Sequence, residues 1–372
     1  MTRSRLSDAR RLVVKIGTSI LAPPTGGIHA RRFSDLAADV AALMDEGRQV
    51  MLVSSGAVGL GGRKLGLKER PVAIPAKQAA AAVGQIDLCR RYERAFARHG
   101  RHVAQILLTH AGLADRERFL NARHTLNVLL ASAVVPIINE NDSVSTEELR
   151  FGDNDQLSAM VVNTCEADLL ILLTNIDGLR DRSPDQHGAR RIGELREVTE
   201  QVLELASRDT SDLGTGGMRS KLQAARMAAQ FGVPTVIADG RRRGVLRRIL
   251  AGEEVGTLVQ PAPQRLSSRK HWIAFSLKPR GTLCLDGGAV QALREGGRSL
   301  LPIGVVEVEG EFGVGDPVRC VSEKGEEVAR GLISYGAKEV QRIKGQRTSS
   351  IPELLGYTNG DEIIHRDDLV VL

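Results

Sequence analysis

Two lysines and a run of acids and amides are the residues of this sequence best suited to chemistry. Lys15 lies inside the apolar run "LVVKIG", and Lys221 follows the glycine-rich stretch "GTGGMRS". A lysine buried without a partner costs on the order of several kcal/mol, so Lys15 needs an anion beside it. That anion is either a carboxylate of the protein, in a structural ion pair, or a phosphate of a ligand brought close by the neighbouring Gly17. Lys221 is either an ordinary surface lysine at a helix start or a flexible cation reaching the end of a polyphosphate. The acids and amides cluster in "INEND", 138–142, and in "FGDNDQLSA", 151–159. Asp142, Asn154 and Asp155 gather carboxylates and an amide at one place; as helix and turn caps they would serve structure alone.

Elements that could position these residues are legible around them. Short runs rich in β-branched residues and leucine recur at 11–17, 49–56, 102–110, 133–140, 168–175 and 234–240, and they read as buried strands. Between them, 33–46, 76–98, 117–132 and 217–231 carry apolar residues at helical spacing, several closing on glycine. Strands alternating with helices predict one mostly parallel sheet covered on both faces, an α/β fold with its ligand crevice at the carboxyl ends of the strands. Five of the six strand runs end in small or polar residues: Gly17-Thr18-Ser19, Ser54-Ser55-Gly56-Ala57, Asn139 to Asp142, Thr174-Asn175 and Ala238-Asp239-Gly240. The loops "GTS", "SSGA" and "GTGGMRSK" can each cradle an anion on backbone N–H groups, or serve only as capped tight turns. Beyond about 260 the texture changes to short valine-rich runs separated by glycine, a small β-rich domain behind a linker near 260–275 that Trp272 would anchor.

Bulk properties narrow the function classes. The 372 residues are 42% hydrophobic and 26% charged, an ordinary globular composition with room for more than one core. Cys89, Cys165, Cys284 and Cys320 lie far apart without a CxxC pair, which argues against a disulfide framework or a zinc knuckle and for the reducing cytoplasm. Lys15 breaks the first apolar run too early for a signal peptide, and no run is long enough to span a membrane. The net charge of +6 raises the question of nucleic acid. Residues 263–372 carry 15 Lys+Arg and 15 Asp+Glu, so the whole excess precedes them, with five arginines in "RRRGVLRR", 241–248. With aromatic residues at 3% and none inside that run, it reads as a solvated turn and helix, or a site for acidic small molecules, ahead of an RNA patch. His102, His110 and His124 show no metal-ligand spacing, and the stripe in "ERFLNARHTLNVLL" reads as core or subunit contact.

No P-loop, no GxGxxG fingerprint and no protein-kinase signature occurs, so a nucleotide site here must be built another way. The segments "VVKIGTS", "VSSGAVGLG", "DRERFLNAR", "PIINENDSV", "FGDNDQLSA", "LLTNIDGL" and "LGTGGMRSKLQAA", in this order, resemble the glutamate 5-kinases of the amino acid kinase family. The tail ending "LGYTNGDEIIHRDDLVVL" is similar to a PUA module. The resemblance implies an amino acid kinase domain over 1–262 and a PUA domain over 278–372. It implies ATP-dependent phosphorylation of the γ-carboxylate of L-glutamate, with Mg2+, as the first step toward proline.

By the same resemblance, Lys15 and Lys221 match lysines that neutralise the migrating phosphoryl group, and Asp155 matches the aspartate that orients them. Ser55, Asp142 and Asn154 match glutamate-binding positions: Ser55 and Asn154 as donors to carboxylate, Asp142 as acceptor from the ammonium. Thr174, Asn175, Thr215, Gly216, Gly217, Met218, Arg219, Ser220 and Lys221 match ATP contacts, with Lys15 also facing the nucleotide. Asn175 departs from the aspartate many relatives carry there, though an amide still accepts a hydrogen bond. The resemblance further implies inhibition by proline, self-association as a dimer or tetramer, and transfer of product to γ-glutamyl phosphate reductase; the lack of a long apolar run implies no membrane partner. RNA, which PUA modules elsewhere contact, is disfavoured by the zero charge balance of the tail. Related kinases acting on N-acetylglutamate, aspartate or UMP are the nearest alternatives, but they are not expected to combine "GDND" with such a tail.

Overall fold

The structure, a computed structural model, describes residues 3–21, 29–67, 69, 71–144, 153–182, 188–207, 217–262, 270, 273–274 and 277–372. Thr215, Gly216, Trp272 and much of the 260–275 stretch lie outside the described residues. The chain divides into two compact units, Met1–Arg265 and Leu266–Leu372.

The six apolar runs of the first unit all form strands: β1 Arg11–Ile16, β2 Gln49–Ser54, β3 Val103–Leu108, β4 Val135–Glu140, β5 Leu169–Thr174 and β7 Thr235–Asp239. Two further strands, β6 Glu194–Leu195 and β8 Thr257–Val259, are too short to give a pattern of their own. The sheet order is β3-β4-β2-β1-β5-β7-β8-β6. Pairings from β3 to β7 are parallel, while β8 turns antiparallel to β7. The helices of this unit are α1 Thr18–Leu21, α2 Ala30–Asp45, α3 Ala57–Lys64, α4 Ile74–Ala97, α5 His110–Ala114, α6 Arg116–Ala131, α7 Asp153–Thr164, α8 Glu200–Ser207, α9 Met218–Gln230 and α10 Val245–Leu250. Among the described residues no helix is long and apolar enough to cross a membrane.

Strand periodicity assigns β1 side chains to opposite layers. Leu12, Val14 and Ile16 join a core with residues of α2, α4 and α10, whereas Val13 joins a second core with residues of α6, α7 and α9. Lys15 therefore shares the face of Val13, toward α7 and α9. In register it lies opposite Val53 of β2 and Leu172 of β5, in the middle of the sheet.

One helix crossing is closer than side chains permit. A Cβ on Gly61 of α3 would stand 1.7 Å from the Ala80 carbonyl oxygen, and one on Gly84 of α4 would stand 1.8 Å from that of Ala57. The two backbones touch, which fixes α3 and the Ser55-Gly56 turn that leads into it, where Gly56 takes φ 118°.

The second unit holds a five-stranded sheet in the order β10-β9-β11-β12-β13. Its strands are β9 Gly281–Leu285, β10 Val305–Gly310, β11 Pro317–Ser322, β12 Glu327–Leu332 and β13 Leu369–Val371. They pack with α11 Gly287–Gly296, α12 Ala337–Ile343 and α13 Ile351–Leu355 around a core that includes Leu283, Val318, Tyr335, Ile343 and Ile351. All four cysteines are free.

Gly61→Ala and Gly84→Ala should each lower stability by roughly 1–3 kcal/mol or more, because backbone must move to admit the methyl group. Gly59→Ala, at an exposed site in α3 with nothing within 4 Å of the added carbon, should instead raise it by about 0.5–1 kcal/mol. Urea midpoints check this, and equal shifts at the three positions would contradict a backbone contact.

Candidate active site

Parallel strands deliver their carboxyl ends to one rim, and some of the polar residues foreseen, Lys15, Lys221 and Asp155 in one group and Ser55, Asn139 and Asn154 in another, meet in two constellations. The first is ionic. Asp155, on the opening turn of α7, is 1% exposed, and Lys15 and Lys221 are each 5% exposed. Lys15 Nζ stands 2.7 Å from Asp155 Oδ1, and Lys221 Nζ stands 3.3 Å from Oδ2. The Ser220 hydroxyl donates to the same Oδ2 at 2.7 Å. Lys15 arrives from the centre of the sheet and Lys221 from the first turn of α9, which Gly217 caps with extended backbone.

Electrostatics at this cluster follow from burial and proximity. Burial works against ionisation of Asp155, but Lys15 foremost, then Lys221 and the Ser220 hydroxyl, hold its carboxyl below the usual carboxylate range. Burial lowers the Lys221 amine, and Lys15 adds to that against the pull of Asp155. Two cations against one carboxylate leave an excess positive charge inside the protein, a place for anion binding.

The second constellation is a chain of neutral side chains beside the first, since Asn154 directly precedes Asp155. Asn154 Nδ2 donates to Ser55 Oγ at 2.8 Å and to Asn139 Oδ1 at 3.0 Å. Asn139 Nδ2 donates to Gln85 Oε1 at 2.9 Å, and Gln85 Nε2 to Cys89 Sγ at 3.4 Å. Both amide hydrogens of Asn154 are thereby committed inside the protein. Its buried Oδ1 has no hydrogen-bond partner among the described residues. The donor role expected of Asn154 thus differs from what this geometry leaves free, an acceptor, whereas Ser55 accepts from Asn154 and keeps its own O–H to give.

Other residues singled out in the sequence sit as follows. Asp142 is half-buried in the turn after β4. Thr174, buried at the end of β5, donates to Asn175 Oδ1 at 3.3 Å. Met218 turns into the core of α9, Arg219 is exposed, and Ser220 serves Asp155. Within the arginine run, Arg241 forks onto Asp239 at 2.9 and 3.0 Å, and Arg243, Arg247 and Arg248 pair with Asp35, Asp39 and Glu253. His110 Nδ1 lies 3.5 Å from Glu140 Oε1.

Sequence reasoning gave Gln85 no role, treated Asn139 only as a polar strand end, and placed Ser220 among nucleotide contacts without linking it to Asp155. The position of Ser220 next to Lys221 was a usable signal. Gln85, inside an alanine-rich helix, offered none.

Comparison with known proteins bears on the whole chain. The model of the amino acid kinase family matches residues 10–239, and that of the PUA domain matches residues 281–355. A glutamate 5-kinase from Geobacter sulfurreducens is 50% identical over 368 residues, covering 99% of each chain. One from Myxococcus xanthus is 49% identical over 371 residues, 100% of this chain and 98% of that one. A solved UMP kinase from Bacillus anthracis, 18% identical, superposes with a TM-score of 0.48 over 68% of this chain and 96% of its own.

Removing the carboxylate at 155 leaves two buried cations facing each other. Asp155→Asn should cost about 3–5 kcal/mol of stability at neutral pH. Since the folded-state pKa of Asp155 is depressed, its stabilisation is fully present above the ordinary carboxylate value of 3.8 and is lost as pH falls through the lower folded value. The gap between variant and parent should hold from pH 7 down to about 4 and narrow only below that. Chemical denaturation across that range checks the sign, and a gap that closes well above pH 4 would contradict it.

Proposed function

We infer, from the premise that the chain belongs to the amino acid kinase family and within it to the glutamate 5-kinases, that it transfers the γ-phosphoryl group of ATP to the γ-carboxylate of L-glutamate. The products are γ-glutamyl 5-phosphate and ADP, the entry to proline biosynthesis. The observation that carries this reading is the buried carboxylate of Asp155 held between the Lys15 and Lys221 ammonium groups.

A carboxylate oxygen of glutamate bonds to the γ-phosphorus while the bond from that phosphorus to the β,γ-bridging oxygen breaks, and ADP leaves with the electron pair. The nucleophile is already deprotonated, so no general base is required. That agrees with Asp155, whose oxygens are occupied by two cations and a hydroxyl and whose ionised form is favoured. Asp155 positions; the lysines meet the charge that spreads over the migrating group and the leaving oxygen. Holding both cations on one anion keeps them arranged between turnovers, so little reorganisation accompanies the transition state.

Nucleotide binding is assigned to the loop 215–221 with Thr174 and Asn175, the amino end of α9 adding its dipole to the phosphates. Magnesium belongs to this reading as the companion of the nucleotide, where it would be held mainly by phosphate oxygens and water and would neutralise phosphate charge. Glutamate is assigned to Ser55, Asp142 and Asn154. Proline, sharing an α-carboxylate and an amine with glutamate, is proposed to compete there, and the enzyme to self-associate. The amino acid kinase domain is assigned to 1–262 and the PUA domain to 278–372. Because an acyl phosphate hydrolyses and cyclises readily, hand-over to γ-glutamyl phosphate reductase is proposed too. A failure to co-purify or co-sediment with that reductase at micromolar concentration would count against it.

With ATP, magnesium and hydroxylamine as trap, glutamate alone among the amino acids should yield hydroxamate together with an equal amount of ADP. Lys15→Ala and Lys221→Ala should each lower kcat by about a hundredfold or more with little change in glutamate KM, whereas Asp142→Ala should mainly raise that KM. Equal effects on both constants in all three variants would mean that the roles are misassigned.

A further inference from the structure

We propose that Gln85, remote from the lysines and buried in α4, is a positioning residue that sets the polarity of the glutamate site. This rests on the assignment of Ser55 and Asn154 to that substrate.

The argument is one of hydrogen-bond direction. A side-chain amide offers two hydrogens on nitrogen and one carbonyl oxygen, and it can be seated either way round unless a neighbour decides. Gln85, 7% exposed, presents Oε1 to Asn139, and Asn139, 2% exposed, must answer with its nitrogen at 2.9 Å. Asn139 Oδ1 then points onward and accepts from Asn154 Nδ2 at 3.0 Å. The other hydrogen of Asn154 goes to Ser55 Oγ at 2.8 Å. The orientation set at Gln85 has now travelled through two amides. Its end points are a buried Asn154 carbonyl oxygen with no partner among the described residues and a Ser55 Oγ that accepts from Asn154 and keeps its own hydrogen to donate. An α-amino acid presents the complement: an ammonium for the carbonyl and a carboxylate for the hydroxyl. Reversing the relay would present donors where the ammonium must sit.

Two features hold the head of this relay. Gln85 Nε2 donates to Cys89 Sγ one turn along α4, at 3.4 Å, which ties the amide to its own helix. The preceding residue, Gly84, is in backbone contact with α3 through the crossing at Gly61, so the helix that carries Gln85 cannot slide relative to the helix that follows Ser55. Seven residues beyond Gln85, the Tyr92 hydroxyl makes a second polar tie from the same helix to a strand end, to Ser54 Oγ at 2.8 Å.

The test compares two substitutions of similar length in the full chain. Gln85→Met removes the acceptor, and Gln85→Glu keeps one for Asn139. Gln85→Met should raise glutamate KM about tenfold or more, while kcat and ATP KM stay within about threefold, and Gln85→Glu should stay within about threefold of the parent on all three. The double variant Gln85→Met with Asn154→Ala should raise KM no further than Asn154→Ala alone, because the relay acts only through Asn154. Additive effects, an unchanged KM in Gln85→Met, or equal losses in kcat and both KM values would overturn the proposal. Should Gln85→Met be recovered unfolded, Asn139→Leu, which breaks the next link, takes its place: a tenfold rise in glutamate KM with kcat and ATP KM within about threefold supports the relay, and an unchanged KM overturns it. The parent enzyme separates this from the wider reading, for a parent that makes no hydroxamate from glutamate refutes the function itself and the relay with it.

Discussion

Two ammonium groups withdrawn from water into one crevice repel each other and lose hydration, and a single anion between them is what makes the arrangement tolerable. Asp155 is that anion. Because its two oxygens are shared between Lys15 and Lys221, the middle of the sheet, the start of α7 and the start of α9 are tied at one point. Replacing the trio with apolar residues of equal volume would leave the core no worse packed and no less stable. In the proposed reading, so costly a cluster is explained by what its excess positive charge attracts and not by what it adds to folding.

The sheet places this cluster beside the carboxyl ends of its parallel strands. Strand alternation puts Lys15 on the α7 and α9 face, and parallel pairing puts it near the carboxyl end of β1, where the loops open. On that same rim the hydrogen-bonded chain from Gln85 to Asn154 runs alongside, and in the proposed reading charge is handled by one set of residues and amino-acid identity by another. Asn154 and Asp155 are consecutive, which makes the first turn of α7 the seam between the two tasks.

Much of this was legible in the sequence, for stated reasons. Fully apolar runs with β-branched residues announce buried parallel strands, and Lys15 inside one of them announces a missing anion. That the anion is Asp155 could not be read from local pattern, since the two residues are far apart in the chain and join only through the fold; family resemblance supplied the match. The strands β6 and β8, two and three residues long, have no periodicity to detect. Gln85 was invisible for a different reason. Its surroundings are those of any alanine-rich helix, and its partner Asn139 is 54 positions away. The hydrogen-bond direction that gives it meaning exists only once four side chains have met.

The glycine contact between α3 and α4 has a consequence for how this protein can change over generations. Where two backbones touch, no single substitution adds a side chain without forcing them apart, so the wall they support cannot be reshaped in small steps. Change elsewhere in this unit must be accommodated around the α3–α4 contact, which stays as a fixed reference while the residues about it vary.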